Sequence, residues 1–187
     1  MKILRQPASY RALASHLKRG GLIAYPTESC YGLGCDPNNL KAVKNLLRLK
    51  QRPQRKGLIL IAAEYAQLAA YLLPISSEQQ LRLKTAGAQA TTYLMPVRAA
   101  TSHALRGVHQ TLAVRLTAHR YAANLCYGVR SALVSTSANR SGLRPAKTYA
   151  ECKKMFGNRV WVLNSMVGKN KKPSKIRVWS NDKIIRE

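Results

Sequence analysis

Apolar residues recur along the chain in two alternating patterns. Within Ser9 to Arg19, Leu13 and Leu17 stand four apart and Gly20-Gly21 follow, which predicts a helix ended by glycine. Leu22 to Tyr25 is a short continuous apolar run, the mark of a buried strand, and Tyr31 to Cys35 reads as a second. Leu40, Val43, Leu46 and Leu47 fit a 3.6-residue period behind Asn38 or Asn39, either of which can cap a helix. Gly57 to Ala62 is apolar throughout, as expected of a central strand covered on both faces. Helices are predicted over Glu64–Leu73 and Ser76–Lys84, the second opened by a capping box of Ser76 and Gln79. Thr91–Val97 and Thr111–Leu116 read as strands, His119–Tyr127 as a helix and Ala132–Ser135 as a further buried strand. A polar loop, Thr136 to Lys147, leads to a second capping box, Thr148 with Glu151, and a helix to Phe156. The end is strand-like at Arg159–Leu163, Lys175–Trp179 and Lys183–Arg186. Mixed strands and helices without an internal repeat predict one α/β domain over residues 1–187.

Charge alters this picture more than composition does. The 187 residues include 32 Lys plus Arg against 7 Asp plus Glu, formally +25. Such an excess has to lie on the surface, where self-repulsion costs stability and polyanions relieve it. Nucleotides or RNA are therefore natural partners, although a generally basic chain would show the same sum. An apolar fraction of 46% supports a folded globule. Apolar runs stay far below the 18 residues of a membrane span, and Met1 to Lys18 has no signal-peptide apolar region, so a cytoplasmic protein without membrane attachment is expected. Cys30, Cys35, Cys126 and Cys152 form no C-x-x-C pair, and His16, His103, His109 and His119 lack zinc-finger spacing. The thiols are expected to be small and partly buried, with no metal held by protein side chains.

Three polar clusters stand at strand ends, where open α/β sheets place ligands. In the first, Leu22 to Tyr25 stops at Pro26 and releases Thr27, Glu28 and Ser29, with Gly32 and Gly34 leaving room for close approach. Lys41, Lys44, Arg48, Lys50, Arg52, Arg55 and Lys56 follow with no acid among them. Lys50 and Arg52 can meet one ligand only if the backbone turns between them. The second cluster, Ser135-Thr136-Ser137-Ala138-Asn139-Arg140-Ser141-Gly142, carries hydroxyls and an amide that can cradle phosphate oxygens. An ordinary turn would use the same residue types. The third is Arg115, inside the apolar strand Leu112 to Leu116, which needs an anion from the chain or from a substrate. Scarce acids favour the substrate. A Walker-type glycine loop is absent, and the histidines lie outside the clusters, which argues against a P-loop nucleotidase and against a nucleophilic triad.

Together the clusters resemble the YrdC/TsaC family, the threonylcarbamoyl-AMP synthases, from about Gly20 to Arg186. The most specific residues are Tyr25-Pro26-Thr27-Glu28 with Tyr31-Gly32-Leu33-Gly34, then Lys50-Gln51-Arg52-Pro53 with Lys56-Gly57. Ala113-Val114-Arg115 and Ser135 to Gly142 complete the set, and Lys50, Arg52, Ser137 and Asn139 meet the family's Lys-x-Arg and Ser-x-Asn signature. The resemblance implies a single-domain YrdC-like α/β fold, a twisted mixed sheet with flanking helices and a concave basic surface. It also implies a reaction in which L-threonine, bicarbonate and ATP give threonylcarbamoyl-AMP and pyrophosphate. The product would pass to downstream transfer machinery that modifies adenosine in tRNA. On the family pattern Lys50 and Arg52 hold ATP phosphates and the carbamate, and Ser137 and Asn139 bond the adenylate. Thr27, Arg115 and Ser174 hold threonine, Pro145 and Arg186 contact the nucleotide, and Mg²⁺ arrives mainly through ATP phosphates. The chain departs from the family's Trp-Pro-Gly-Pro-x-Thr before the middle strand, reading Gly87-Ala88-Gln89-Ala90-Thr91-Thr92. A different class of function is a non-catalytic RNA-binding module that keeps the fold. A carbamoyl-transfer domain of the hydrogenase-maturation type fits 187 residues poorly.

Overall fold

The computed structural model describes residues 7–170 and 172–187, with side chains from residue 10 onward; readings of residues 1–6 lie outside the described residues. Helix α1 (Pro7–Lys18) leads into an antiparallel hairpin of β1 (Ile23–Pro26) and β2 (Tyr31–Gly34). Helix α2 (Leu40–Lys50) is capped by the Asn39 side chain, which accepts from the Ala42 N–H. Strand β3 (Ile59–Ala62), α3 (Ser77–Ala88), β4 (Thr91–Pro96), the single turn α4 (His103–Arg106) and β5 (Thr111–Leu116) follow. Then come α5 (Arg120–Val129), β6 (Leu133–Ser137), α6 (Tyr149–Phe156), β7 (Trp161–Val162), β8 (Lys175–Val178) and β9 (Ile184–Arg186). Both capping boxes form, at Ser76/Gln79 and Thr148/Glu151. The predicted helix over Glu64–Leu73 does not form. Only Tyr65–Gln67 makes a 3-10 turn, because Glu64 is extended and the Leu73 N–H bonds Pro96 O, drawing the segment onto the end of β4.

Among the described residues the strands form one mixed sheet in the order β7-β1-β2-β6-β3-β5-β4-β8-β9, with β3 at its centre. Alternation along β5 decides what each face does. Leu112, Val114 and Leu116 enter the larger core with Leu60 of β3, Val134 of β6, and residues of α2, α3, α4 and α6. The opposite face carries Ile61, Leu133, Ile23 and Tyr25, packed under Leu13 and Leu17 of α1 and Leu125 of α5. Those two helices cover only part of that face. What remains open is the site.

Gly34 was expected to admit a ligand, and the structure assigns it to packing. A Cβ there would stand 2.6 Å from Val134 O and 2.8 Å from the Tyr25 ring. Gly32 does border the open face.

Candidate active site

The open part of the sheet forms a cavity of about 380 Å³. Its floor is built by strand alternation: Thr111, Ala113 and Arg115 of β5 face it, beside Ile59 of β3, Ser135 and Ser137 of β6, and Ile176 of β8. Register places Ile59 between Ser135 and Ala113, so hydroxyls and one guanidinium border an apolar strip. The walls come from loops: Thr27, Ser29 and Cys30 after β1, Arg52 and Lys56 to Leu58 after α2, and Pro173-Ser174 before β8. Arg52, Lys56, Arg106, Arg115 and Arg186 line it, and among the described residues no carboxylate does.

Arg52 is drawn below the usual arginine range by burial and then by Arg186; Arg186 is drawn down by burial and then by Arg115. Three guanidiniums thus share one space, two of them, Arg52 and Arg186, disfavoured by burial and by a neighbouring guanidinium, which is the electrostatic condition for binding an anion. Arg52 donates through Nε (3.1 Å) and Nη2 (2.9 Å) to Gly57 O. Arg186 donates to Ser174 O at 2.7 Å through Nη2, and the Thr92 hydroxyl donates to Ser174 Oγ at 2.9 Å. Thr27 keeps its hydroxyl on Cys30 O at 2.8 Å.

The backbone does turn between Lys50 and Arg52, through a left-handed Gln51 (φ 54°), and the turn separates them. Arg52 reaches the cavity, whereas Lys50 is 3% exposed and does not line it. The Lys50 ammonium donates to Ser137 O, to Ser137 Oγ (3.2 Å), and to Asn139 O (3.1 Å) and Oδ1 (2.8 Å). With only neutral acceptors, burial followed by repulsion from Arg52 pulls it down to about 8. Lys50 thus fixes the Ser137–Asn139 turn from behind. Asn139 likewise points inward, its Nδ2 donating to Arg140 O and Leu143 O, and neither Asn139 nor Pro145 lines the cavity.

Arg115 also differs from expectation. Its nearest anion is internal: Nη2 lies 3.0 Å from Glu28 Oε2, and the Thr117 hydroxyl donates to Glu28 Oε1 at 2.9 Å. Counting acids did not show that one of seven sits two residues past the strand's proline and folds back on β5. His109 was placed outside the clusters, yet it lines the cavity, as do Arg106 and Thr111. No spacing rule marks these, since Arg106 ends the single helical turn α4, His109 lies on the loop after it and Thr111 opens β5. His119 instead caps α5, its Nδ1 accepting from Ala122 N. Gly87 to Ala90, where the family motif is replaced, end α3 and do not border the cavity.

Cys35, Cys126 and Cys152 are buried and Cys30 is half-buried at the cavity, all as free thiols; burial raises each, Cys126 and Cys152 to about 12. Among the described residues no group of three His, Cys, Asp or Glu side chains could hold a metal ion. No helix among them is long and apolar enough to cross a membrane.

A family sequence profile described as telomere recombination matches residues 15–187. The chain belongs to the Sua5/YciO/YrdC family. Within that family, the threonylcarbamoyl-AMP synthase of Methylobacillus flagellatus is 51% identical over 176 residues, covering 94% of this chain and 98% of that one. The threonylcarbamoyl-AMP synthase of Thiobacillus denitrificans is 46% identical, covering 93% of each. Among solved structures, P. abyssi Sua5 complexed with L-threonine superposes with a TM-score of 0.83 at 25% identity, over 92% of this chain. A doubly substituted P. abyssi Sua5 gives 0.85, also at 25% identity and over 94% of this chain. The chain spans about half the length of these two Sua5 proteins, 54% and 51% respectively for the substituted protein and the threonine complex. E. coli YciO shares the Sua5/YciO/YrdC fold with a TM-score of 0.79 at 21% identity, over 97% of this chain and 90% of that one.

Proposed function

We propose that this chain is a threonylcarbamoyl-AMP synthase, joining L-threonine, bicarbonate and ATP with release of pyrophosphate. One observation carries the reading: of the cations lining the cavity, Arg115 has a carboxylate beside it, Glu28, whereas Arg52, Lys56, Arg106 and Arg186 have none among the lining residues. A zwitterionic amino acid suits the balanced cation and a polyphosphate the unbalanced ones. The names of the bacterial relatives and the threonine complex of the Sua5 neighbour support the same assignment.

In this reading the threonine amine and bicarbonate form a carbamate with loss of water. A carbamate oxygen then bonds to the α-phosphorus as the bond to the β-phosphate oxygen breaks, and pyrophosphate leaves with that electron pair. The protein's part is positioning and charge stabilisation. Arg115, Thr27 and Ser174 would hold threonine, Arg52 and Arg186 the phosphates, and Ser137 the nucleotide. Lys50 and Asn139 would act through Ser137, and Pro145 at the edge of that loop. Mg²⁺, if used, would come with the ATP phosphates, because no carboxylate lines the cavity and a hard divalent ion needs anionic oxygens. We take the chain as one cytoplasmic domain whose product goes to a tRNA-threonylcarbamoyl transfer step. The test is pyrophosphate release that requires threonine, bicarbonate and ATP together; release indifferent to threonine would count against the assignment. The +25 charge keeps RNA binding in view as a second property, read by an affinity for tRNA that falls about 10³-fold or more between roughly 50 and 200 mM salt.

A further inference from the structure

Glu28 reaches the cavity only through Arg115. It does not line the cavity, its side chain is 14% exposed, and it belongs to the turn joining β1 and β2. Arg115 sits near the end of β5 and Thr117 just past it. In the sheet, β1 and β5 are separated by β2, β6 and β3, so the contact closes the curve of the sheet across three strands. The two carboxylate oxygens divide their partners, Oε1 accepting from the Thr117 hydroxyl while Oε2 meets Arg115 Nη2.

The ion pair is close but incomplete. Glu28 Oε2 and Arg115 Nε are both buried without a hydrogen bond, so the carboxylate does not take the guanidinium in the two-point fork that satisfies it best. Arg115 is therefore held and oriented while donor capacity stays free, and it faces the cavity. The turn that carries Glu28 is itself gripped. Gly168 N donates to Thr27 O at 2.8 Å and Asn170 N to Glu28 O at 3.0 Å, and a Cβ on Gly168 would stand 2.6 Å from Glu28 O. A carboxylate this constrained, buried beside a half-satisfied arginine, is built to aim that arginine.

We propose that Glu28, fixed by the Thr117 hydroxyl, is a positioning residue that sets the Arg115 guanidinium to receive the carboxylate of the amino-acid substrate. The inference rests on the threonine reading of the cavity given above. Glu28 leaves part of the guanidinium for a second carboxylate, and it also offsets the local charge, so that a polyphosphate favours Arg52 and Arg186 over Arg115.

The test measures L-threonine and ATP binding separately by calorimetry on the full chain, alongside steady-state turnover and a melting curve. Glu28→Gln keeps the shape and removes the charge. It should weaken threonine binding about tenfold or more and raise the threonine KM correspondingly, with kcat within about threefold and ATP affinity within about twofold. Thr117→Val should shift threonine binding in the same direction by about threefold, and Glu28→Asp should recover part of the loss. Should Glu28→Gln fail to fold, the Thr117→Val and Glu28→Asp proteins decide the matter. Unchanged threonine affinity in the variants, or equal losses for threonine and ATP, would overturn the positioning role. A wild-type protein that binds ATP but no threonine would overturn the substrate reading and this role with it.

Discussion

Lys50 and Arg52 show how two residues of one motif separate in three dimensions. Arg52→Ala should cut kcat/KM by about 10² or more while moving the melting temperature little, since it forfeits bonds only to the Lys56 and Gly57 carbonyls at the cavity wall. Lys50→Met should lower the melting temperature by several degrees, because Ser137 and Asn139 lose a charged donor. Its pH dependence has a definite sign. An unfolded lysine keeps its proton to about 10.5, whereas the folded Lys50 releases it near 8, so between those values the unfolded chain binds more protons. Wild type should then gain on Lys50→Met as pH rises from about 8 towards 10.5, by at most about 1.4 kcal/mol per pH unit in chemical denaturation. The motif itself was legible in the sequence. That Lys50 turns inward was not, because a left-handed Gln51 leaves no trace in residue spacing. Arg115 shows the reverse: its need for an anion was legible, but Glu28 lies far back along the chain and meets it only through the curvature of the sheet.

Elements were readable wherever a local rule governed them. Asn39, Ser76 and Thr148 announce α2, α3 and α6 through side chains that satisfy the first free N–H groups. Thr148→Ala should cost about 1 kcal/mol, a fall of roughly 2–4 °C in melting temperature, with turnover unchanged. The segment after Glu64 defeated the same logic. Its apolar residues suit a helix, but Leu72 bridges Val97 and Gln67 is occupied by Ala63 N and Cys126 O, so tertiary partners overrode the local pattern. The alternation of β5 carried more function than it revealed. One face packs the core and the other presents Thr111, Ala113 and Arg115, yet nothing in the strand tells which face α1 and α5 leave open.

For the molecule as a whole, +25 on 187 residues means that folding compresses like charges. Only three ion pairs form among the described residues, and Arg82 and Arg177 share Asp182 in two of them. Raising NaCl from about 0.05 to 0.5 M should therefore raise the melting temperature by several degrees through screening. Inorganic tripolyphosphate should do so at far lower concentration, and Arg52→Ala should abolish the tripolyphosphate effect but not the NaCl effect. The segment between β7 and β8 bears on how such states can be observed. It leaves the first strand of the sheet order and enters the eighth, bonding the Thr27–Glu28 peptide on the way and ending at Ser174 on the cavity wall. Its Lys169 offers trypsin a cleavage point inside that run. L-threonine should slow cutting there in proportion to site occupancy, and Glu28→Gln should need more threonine for the same protection. A protease would then report whether threonine occupies the cavity without any turnover at all.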